Sequence, residues 1–150
     1  MDQRKYLKLR SSQLDERQRY VSLQLDEIHV NPALCYKSGN ISGAAANSAT
    51  SAAYSVQAFM IASLFGMTKE IVSLNPVKNI VATELVNMWH TGSDVVQQSG
   101  FVIVALIADN NQVNCKAFEM LAGAGKLEHD ISNPNFPKNV FSYCLTLCIS

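Results

Sequence analysis

The sequence predicts an α/β fold in which antiparallel strands come first and a helix, a buried parallel strand and a second helix follow. Residues 20–30 alternate apolar and polar side chains, which is the period of a strand with one buried face. Residues 101–108 are eight consecutive apolar residues, a pattern typical of a parallel strand buried on both faces. Residues 81–96 and 112–122 place apolar side chains at helical spacing on either side of that strand.

Composition narrows the class of protein. A chain of 150 residues with 48% hydrophobic residues suits one globular domain with a real core. Twelve basic and twelve acidic residues cancel, so no overall field favours nucleic acid as a partner. We expect no membrane segment, because the eight-residue apolar run is far shorter than the about 20 residues that span a bilayer as a helix. The four cysteines lack the paired spacing of a zinc site, so we expect reduced thiols in a soluble intracellular protein.

The first strand carries two unexpected charges. Residues 1–19 predict a polar lead-in, with some helical character at residues 11–19. In the strand that follows, Asp26 and Glu27 are adjacent, so their side chains point to opposite faces. A carboxylate inside a strand violates strand propensity, which often marks a functional site, although a strand end meeting solvent explains it too.

The next apolar segments have two interpretations. Residues 56–65 and 71–77 favour two strands joined by a turn, because the second segment is rich in β-branched residues. A helix over residues 53–64 is the alternative, since its apolar residues also fall at helical spacing. Pro76 places the end of the second strand at an edge of the sheet or at a turn.

Capping residues delimit the two predicted helices. Asn79 is expected to cap the first, and Asn110 or Asn111 the second, which Gly123 then ends. His90 in the first helix is a weak ligand candidate, since an isolated histidine without a partner is more often a surface residue.

Asp109 follows the buried strand directly. In open α/β sheets ligands and catalytic groups collect at the carboxyl ends of the strands, although Asp109 could equally serve only as a helix cap. If the first strand lies beside the buried one, Asp26 and Asp109 meet there. Two carboxylates brought together repel, so this arrangement needs a divalent cation between them. Oxygen-only ligation favours Mg²⁺ or Mn²⁺, and pairs of such ions support in-line attack on a phosphodiester.

Several separated blocks resemble one known family. The sequence YVSLQLDEIHV at residues 20–30, with YKSGNI and GAA after it, is similar to the P-element transposase-like RNase H domain of arthropod THAP-domain-containing transposase relatives. The later blocks FM, PVKNI, GFV and DNN keep the order and spacing of that family. The resemblance covers roughly residues 14–125.

This resemblance implies both an architecture and a chemistry. It implies an RNase H-like fold, with residues 1–19 as a lead-in, residues 20–125 as a partial transposase core and residues 126–150 as a divergent tail. Asp26 and Asp109 then correspond to the first two catalytic acids of the family and are its metal ligands, holding Mg²⁺ or Mn²⁺ while DNA strands are cut and joined. The family further implies DNA as the partner and the nucleus as the location.

The sequence also departs from the family. It lacks the amino-terminal zinc-coordinating THAP module, residues 138–150 do not resemble the next strand of the family, and no carboxylate follows Asp130. We therefore expect the C-terminal part of the fold to be incomplete. The chain should bind DNA weakly and be inactive alone, requiring self-association or further transposase segments. The alternative is a non-catalytic, transposase-derived remnant that acts as an interaction or regulatory protein, so enzymatic activity stays open.

Overall fold

The computed structural model of the chain describes residues 2–123, 130–132 and 140–146, which form a six-stranded mixed sheet, three α-helices and two small two-stranded sheets. The helices are α1 (Gln3–Ser12), α2 (Ala82–Gln98) and α3 (Gln112–Ala122). The strands are β1 (Tyr20–His29), β2 (Cys35–Lys37), β3 (Asn40–Ser42), β4 (Ala44–Ala45), β5 (Ser48–Ala52), β6 (Ser55–Ser63), β7 (Lys69–Val77), β8 (Val102–Asp109), β9 (Asp130–Ser132) and β10 (Val140–Thr146).

The large sheet combines an antiparallel half with a parallel half. Its strand order is β7-β6-β1-β8-β10-β9. β1, β6 and β7 are antiparallel neighbours, whereas β1, β8 and β10 run parallel to one another. A parallel connection needs a crossover, and α2 leads the chain from β7 to β8. The predicted α/β order of antiparallel strands, helix, buried parallel strand and helix is confirmed.

Two neighbouring strands occupy the segment that allowed either strands or a helix. β6 and β7 pair antiparallel from Ser55 opposite Val77 to Ala62 opposite Lys69, so the strand interpretation is confirmed and the helix over residues 53–64 is wrong. β7 is the outermost strand on its side of the sheet. Pro76, which has no amide hydrogen to donate, therefore lies on an edge strand, which was one of its two predicted positions.

All three helices pack on one face of the sheet. Leu23 of β1 pairs with Leu106 of β8, and both belong to a buried core cluster to which every helix contributes. At its centre, the Trp89 ring lies 5.0 Å from the Phe59 ring and 5.4 Å from the Phe118 ring, measured between centroids. Aromatic pairs at such distances add roughly 0.5–1.5 kcal/mol beyond their buried area.

The opposite face of the sheet has no helix of the described part upon it. Strand alternation places Ile28, Ile71 and Leu74 on this face, and their side chains are 48%, 48% and 54% exposed. Ile71 and Leu74 lie on β7 and Ile28 on β1, with β6 between these two strands.

The amino-terminal segment forms a helix earlier than predicted. The helical character expected at residues 11–19 is found instead in α1, and only a 3₁₀ turn at Arg17–Arg19 falls within that range. Leu7 of α1 is fully buried in the core, and Arg10 binds Glu70 of β7 with 2.7 Å between Nε and Oε1. The sequence does not indicate this packing because most side chains of α1 are polar, and Tyr6 and Arg10 gain their partner, Glu70, only in the folded chain. The division of the chain at residues 19 and 125 stays a prediction.

The start of α2 also differs from the prediction. Its N-cap is Val81, not Asn79, and Glu84 Oε2 accepts from the Val81 backbone N–H at 3.2 Å. Asn79 instead adopts a left-handed backbone conformation with φ of 53°. A side-chain carboxylate three residues into the helix thus satisfies the first donor, which removes the need for a polar N-cap residue.

The carboxyl-terminal segment supplies a strand that the sequence did not indicate. β10 pairs in parallel with β8, from Ser142 opposite Ala105 to Thr146 opposite Asp109. Residues 140–146 therefore form a strand, whereas the departure of the sequence of residues 138–150 from the family's next strand stays a prediction. The apolar run of residues 140–146 is short enough to suit a strand or a buried helix, and a parallel strand is specified by its neighbours as much as by its own pattern.

Candidate active site

The two predicted acids lie on neighbouring strands. β1 and β8 pair in parallel, and the register runs to Gln24 opposite Ile107 after a shift between Val21 and Ser22. Asp26 and Asp109 each stand two residues beyond that last pair, on the same face of the sheet because side chains alternate with a period of two. The predicted adjacency of the two strands is thus confirmed. That the two carboxylates share one cation stays a prediction.

Asp109 is held by two amide side chains of the turn and helix that follow it. Asn111 Nδ2 donates to both carboxylate oxygens of Asp109, at 3.1 Å to Oδ1 and 3.3 Å to Oδ2. Asn114 Nδ2 donates to the same Oδ1 and, at 3.1 Å, to the Asp109 backbone oxygen. Asn114 is only 4% exposed, so this contact is shielded from solvent. The half-buried carboxylate therefore has a fixed orientation.

The N-cap of α3 is Asn111, which was one of the two predicted residues. Its Oδ1 accepts from the Asn114 backbone N–H at 2.8 Å, and the helix ends at Gly123 with φ of 72°, as predicted. Asp109 accepts none of the free backbone donors of the helix. The interpretation of Asp109 as a mere helix cap is therefore wrong, and Asn114 is the residue that the sequence did not identify. The one feature of the sequence that could have pointed to Asn114 is its position three residues after the N-cap Asn111.

Asp26 and Glu27 face opposite sides of the sheet. Asp26 is exposed on the face without helices and makes no hydrogen bond or ion pair to another described residue. Glu27 is half-buried on the helix-covered face, where it pairs across strands with Gln57. The acid that lies in register with Asp109 is therefore the one that is free to bind a ligand.

The Asp26 and Asp109 oxygens fit a hard divalent cation. Both side chains are carboxylates, and within the described part of the chain Oδ2 of Asp109 accepts only from Asn111, so that oxygen keeps acceptor capacity. Among residues 2–123, 130–132 and 140–146, no three His, Cys, Asp or Glu side chains lie together as a metal cluster. A cation bound here would thus take two carboxylates from the described residues and complete its shell elsewhere.

The other candidate ligands lie apart from this edge. His90 is exposed on α2, in keeping with a surface histidine. Cys35 and Cys115 are free thiols, whereas the side chains of Cys144 and Cys148 lie outside the described residues. None of the helices in the described ranges is long and apolar enough to span a membrane.

Comparisons with known proteins identify the family and the fold of this chain. Residues 3–122 match the family model described as TNP-like, RNase H N-terminal domain. The fold matches a solved structure, the Drosophila P element transposase strand transfer complex, with a TM-score of 0.65 at 17% sequence identity. That match covers 91% of this chain and 29% of the transposase chain, so this chain spans less than a third of the relative's length. No curated protein matches the sequence. Because the family model covers most of the chain, this protein belongs to the TNP-like RNase H N-terminal domain family and has the P-element transposase-like RNase H fold.

Proposed function

We propose that the chain is the RNase H-like part of a P-element-type DNA transposase, and that Asp26 and Asp109 supply two ligands of its catalytic cation. The observation that carries this proposal is the position of the two acids on one face of adjacent parallel strands, with Asp109 oriented by Asn111 and Asn114. Amide donors that hold a carboxylate are the usual outer partners of a metal ligand.

Each residue has a definite role in this proposal. Asp26 offers an exposed carboxylate, and Asp109 offers Oδ2 while its Oδ1 stays bound to the two asparagine amides. When bound, Mg²⁺ or Mn²⁺ would polarise the phosphodiester and favour attack by a hydroxyl group. The asparagine amides keep the Asp109 carboxylate in place without adding negative charge beside it.

DNA is the partner we propose, and the nucleus the location. The solved relative is a transposase in a strand transfer complex, and the family membership of this chain supports DNA as its substrate. The formal net charge is zero, so the chain alone should bind duplex DNA weakly and without sequence preference. Further transposase segments, or a second copy of the chain, would complete the site and the DNA contacts.

We further propose that this chain does not cleave DNA by itself. Within the described residues, no third His, Cys, Asp or Glu side chain joins Asp26 and Asp109 in a metal cluster. In-line attack with two ions needs more ligands than these two acids. The alternative function, a non-catalytic interaction or regulatory protein derived from a transposase, predicts the same lack of cleavage. The two differ in whether the cation site is retained.

Thermal melts with and without Mn²⁺ test the cation site. A ligand that binds only the folded state stabilises it by about 2.7 kcal/mol at 100 times its Kd, so saturating Mn²⁺ should raise the Tm measurably. Asp26→Asn should abolish this rise and leave the cation-free protein equally stable, because Asp26 has no described partner to lose. Asp109→Asn should abolish it too, with some loss of stability, because the Asn111 and Asn114 amides lose a charged acceptor.

Glu16→Gln is the matched control. Glu16 is an exposed carboxylate that precedes β1, at the opposite end of the strand from Asp26. This variant should keep the full Mn²⁺ shift. A shift that survives in both aspartate variants, or no shift in the parent chain, contradicts the proposed function and leaves the non-catalytic alternative.

A further inference from the structure

A cavity lies at the same end of the sheet as Asp26 and Asp109, on the helix-covered face. This cavity has a volume of about 440 Å³ and is bounded by the end of β1, the start of β6 and the first residues of α2 and α3. Its size lies within the range of small-molecule sites. Glu27, Gln57 and Asn114 are among its polar lining residues, and Ile80, Leu85 and Val113 form apolar walls.

One side chain that lines this cavity has an unsatisfied donor. Gln57 is 3% exposed, and its Nε2 is buried without a hydrogen-bond partner in the described part of the chain. A buried donor left unpaired is costly, so a fold retains one chiefly where a ligand or an ordered water accepts from it. Gln57 sits directly opposite Glu27 in the β1–β6 pairing, which places an amide beside a carboxylate.

The chemistry of the lining narrows the class of ligand. Glu27 contributes a negative charge and accepts only, which disfavours a phosphate or another anion. Gln57 offers a donor, and the apolar walls suit a flat unsaturated group. A planar ligand that donates from one edge atom and accepts at the neighbouring one satisfies both side chains, which is the pattern of a nucleobase amide edge.

The cavity and the cation-binding edge share structural elements. Glu27 directly follows Asp26 in β1, so one strand presents a carboxylate to each face. Asn114 lines the cavity and also holds Asp109. Asp26 and Asp109 lie on the other face of the sheet from the cavity, so a strand bound at the two acids must pass over the carboxyl ends of β1 and β8 for one of its bases to reach the cavity.

We propose that this cavity receives one unpaired base of the DNA strand bound at the Asp26–Asp109 edge, with Gln57 donating to a base oxygen and Glu27 accepting from the adjacent N–H. The proposal rests on the proposed function, since it takes the strand to be the substrate of that edge. Bases removed from a helix are commonly read in this way, by hydrogen bonds to the pairing edge.

The test measures binding of a thymidine dinucleotide to the 150-residue chain by amide NMR spectra, with and without Mg²⁺. The comparison ligand is the same dinucleotide with both bases removed. We expect the Gln57 side-chain amide signals to move with the base-containing ligand only, and this ligand to bind at least about tenfold more tightly, a difference of about 1.4 kcal/mol.

Two variants separate the role of the cavity from a general effect on folding. Gln57→Met keeps the side-chain length and removes the unpaired donor, so the protein should fold normally and lose the preference for the base-containing ligand. Gln97→Met is the matched control, because Gln97 Oε1 is also buried without a described partner but does not line this cavity. It should keep the preference unchanged.

The outcomes distinguish the two proposals. Equal binding of the two ligands, unmoved Gln57 signals, or a preference that persists in Gln57→Met overturns the base pocket even when Mn²⁺ stabilises the protein as proposed. A preference that depends on Gln57, found together with no cation shift in the parent, supports the base pocket and contradicts the cation site instead. If Gln57→Met fails to fold, Glu27→Gln provides the second test, and an unchanged preference in that variant also overturns the proposal.

Discussion

Two glycines near α2 should respond to alanine in opposite directions. Gly92 lies inside the helix and is buried against the sheet, whereas Gly100 follows the helix with φ of 92°. A Cβ atom at Gly92 would lie 3.5 Å from Phe59 Cδ1 and 3.9 Å from Leu23 Cδ2, which are ordinary van der Waals distances. A Cβ atom at Gly100 would lie 3.1 Å from Ser11 Oγ, which is tighter than most such contacts.

The magnitudes follow from these distances. At Gly92, alanine removes a helix-propensity cost of about 1 kcal/mol and adds a buried methyl group in contact with the core. We therefore expect the free energy of unfolding to rise by about 1 kcal/mol, which for 150 residues is a Tm increase of roughly 2–4 °C. At Gly100, the left-handed backbone costs an alanine roughly 1–2 kcal/mol, and the Ser11 hydroxyl must move as well.

Urea denaturation followed by circular dichroism, with thermal melts of the same samples, measures both changes. Gly92→Ala should shift the midpoint upwards and Gly100→Ala downwards, without a change in the slope of either transition. A Gly92→Ala protein that is less stable than the parent would refute the packing of α2 on β1 and β6 described above. An unchanged Gly100→Ala protein would refute the contact between the end of α2 and α1.

Three further predictions concern the site, the amino-terminal helix and DNA. Asn114→Ala should lower the free energy of unfolding by about 1–3 kcal/mol and weaken the Mn²⁺ shift, because the buried amide no longer holds Asp109; a variant with the parent's stability and shift would contradict this role. The hydrogen bond to Glu70 raises the pKa of the Tyr6 hydroxyl above its ordinary value of 10.0, so the stabilisation is complete below that pH and is lost as the pH rises through the raised pKa. Urea titrations from neutral to alkaline pH should show this loss in the parent and not in Tyr6→Phe, and equal profiles would count against it. Fluorescence anisotropy with labelled duplexes should show weak, sequence-independent binding at physiological salt, and tight selective binding would be the contrary result.

The sequence anticipated part of the candidate site. The unbroken apolar run ending on Asp109 indicated a buried strand with an acid at its carboxyl end, and the misplaced charge of Asp26 marked the partner strand. Both inferences depend on patterns of adjacent residues, which are the same whatever tertiary fold the chain adopts. Asn114 and Gln57 could not be found in this way, because an amide gains its role only from the atoms that the fold brings next to it.

The elements of the fold also separate into those that local sequence patterns predict and those that only tertiary contacts decide. Alternation in β1, the apolar run of β8 and the Asn111 and Gly123 caps of α3 are properties of neighbouring residues, so the sequence by itself determined these elements. The tertiary structure alone decided the packing of α1 through Leu7 and the pairing of β10 with β8. It also placed the two acids in register on one face, because strand order and register depend on long-range hydrogen bonds and core packing, which no local pattern of residues encodes.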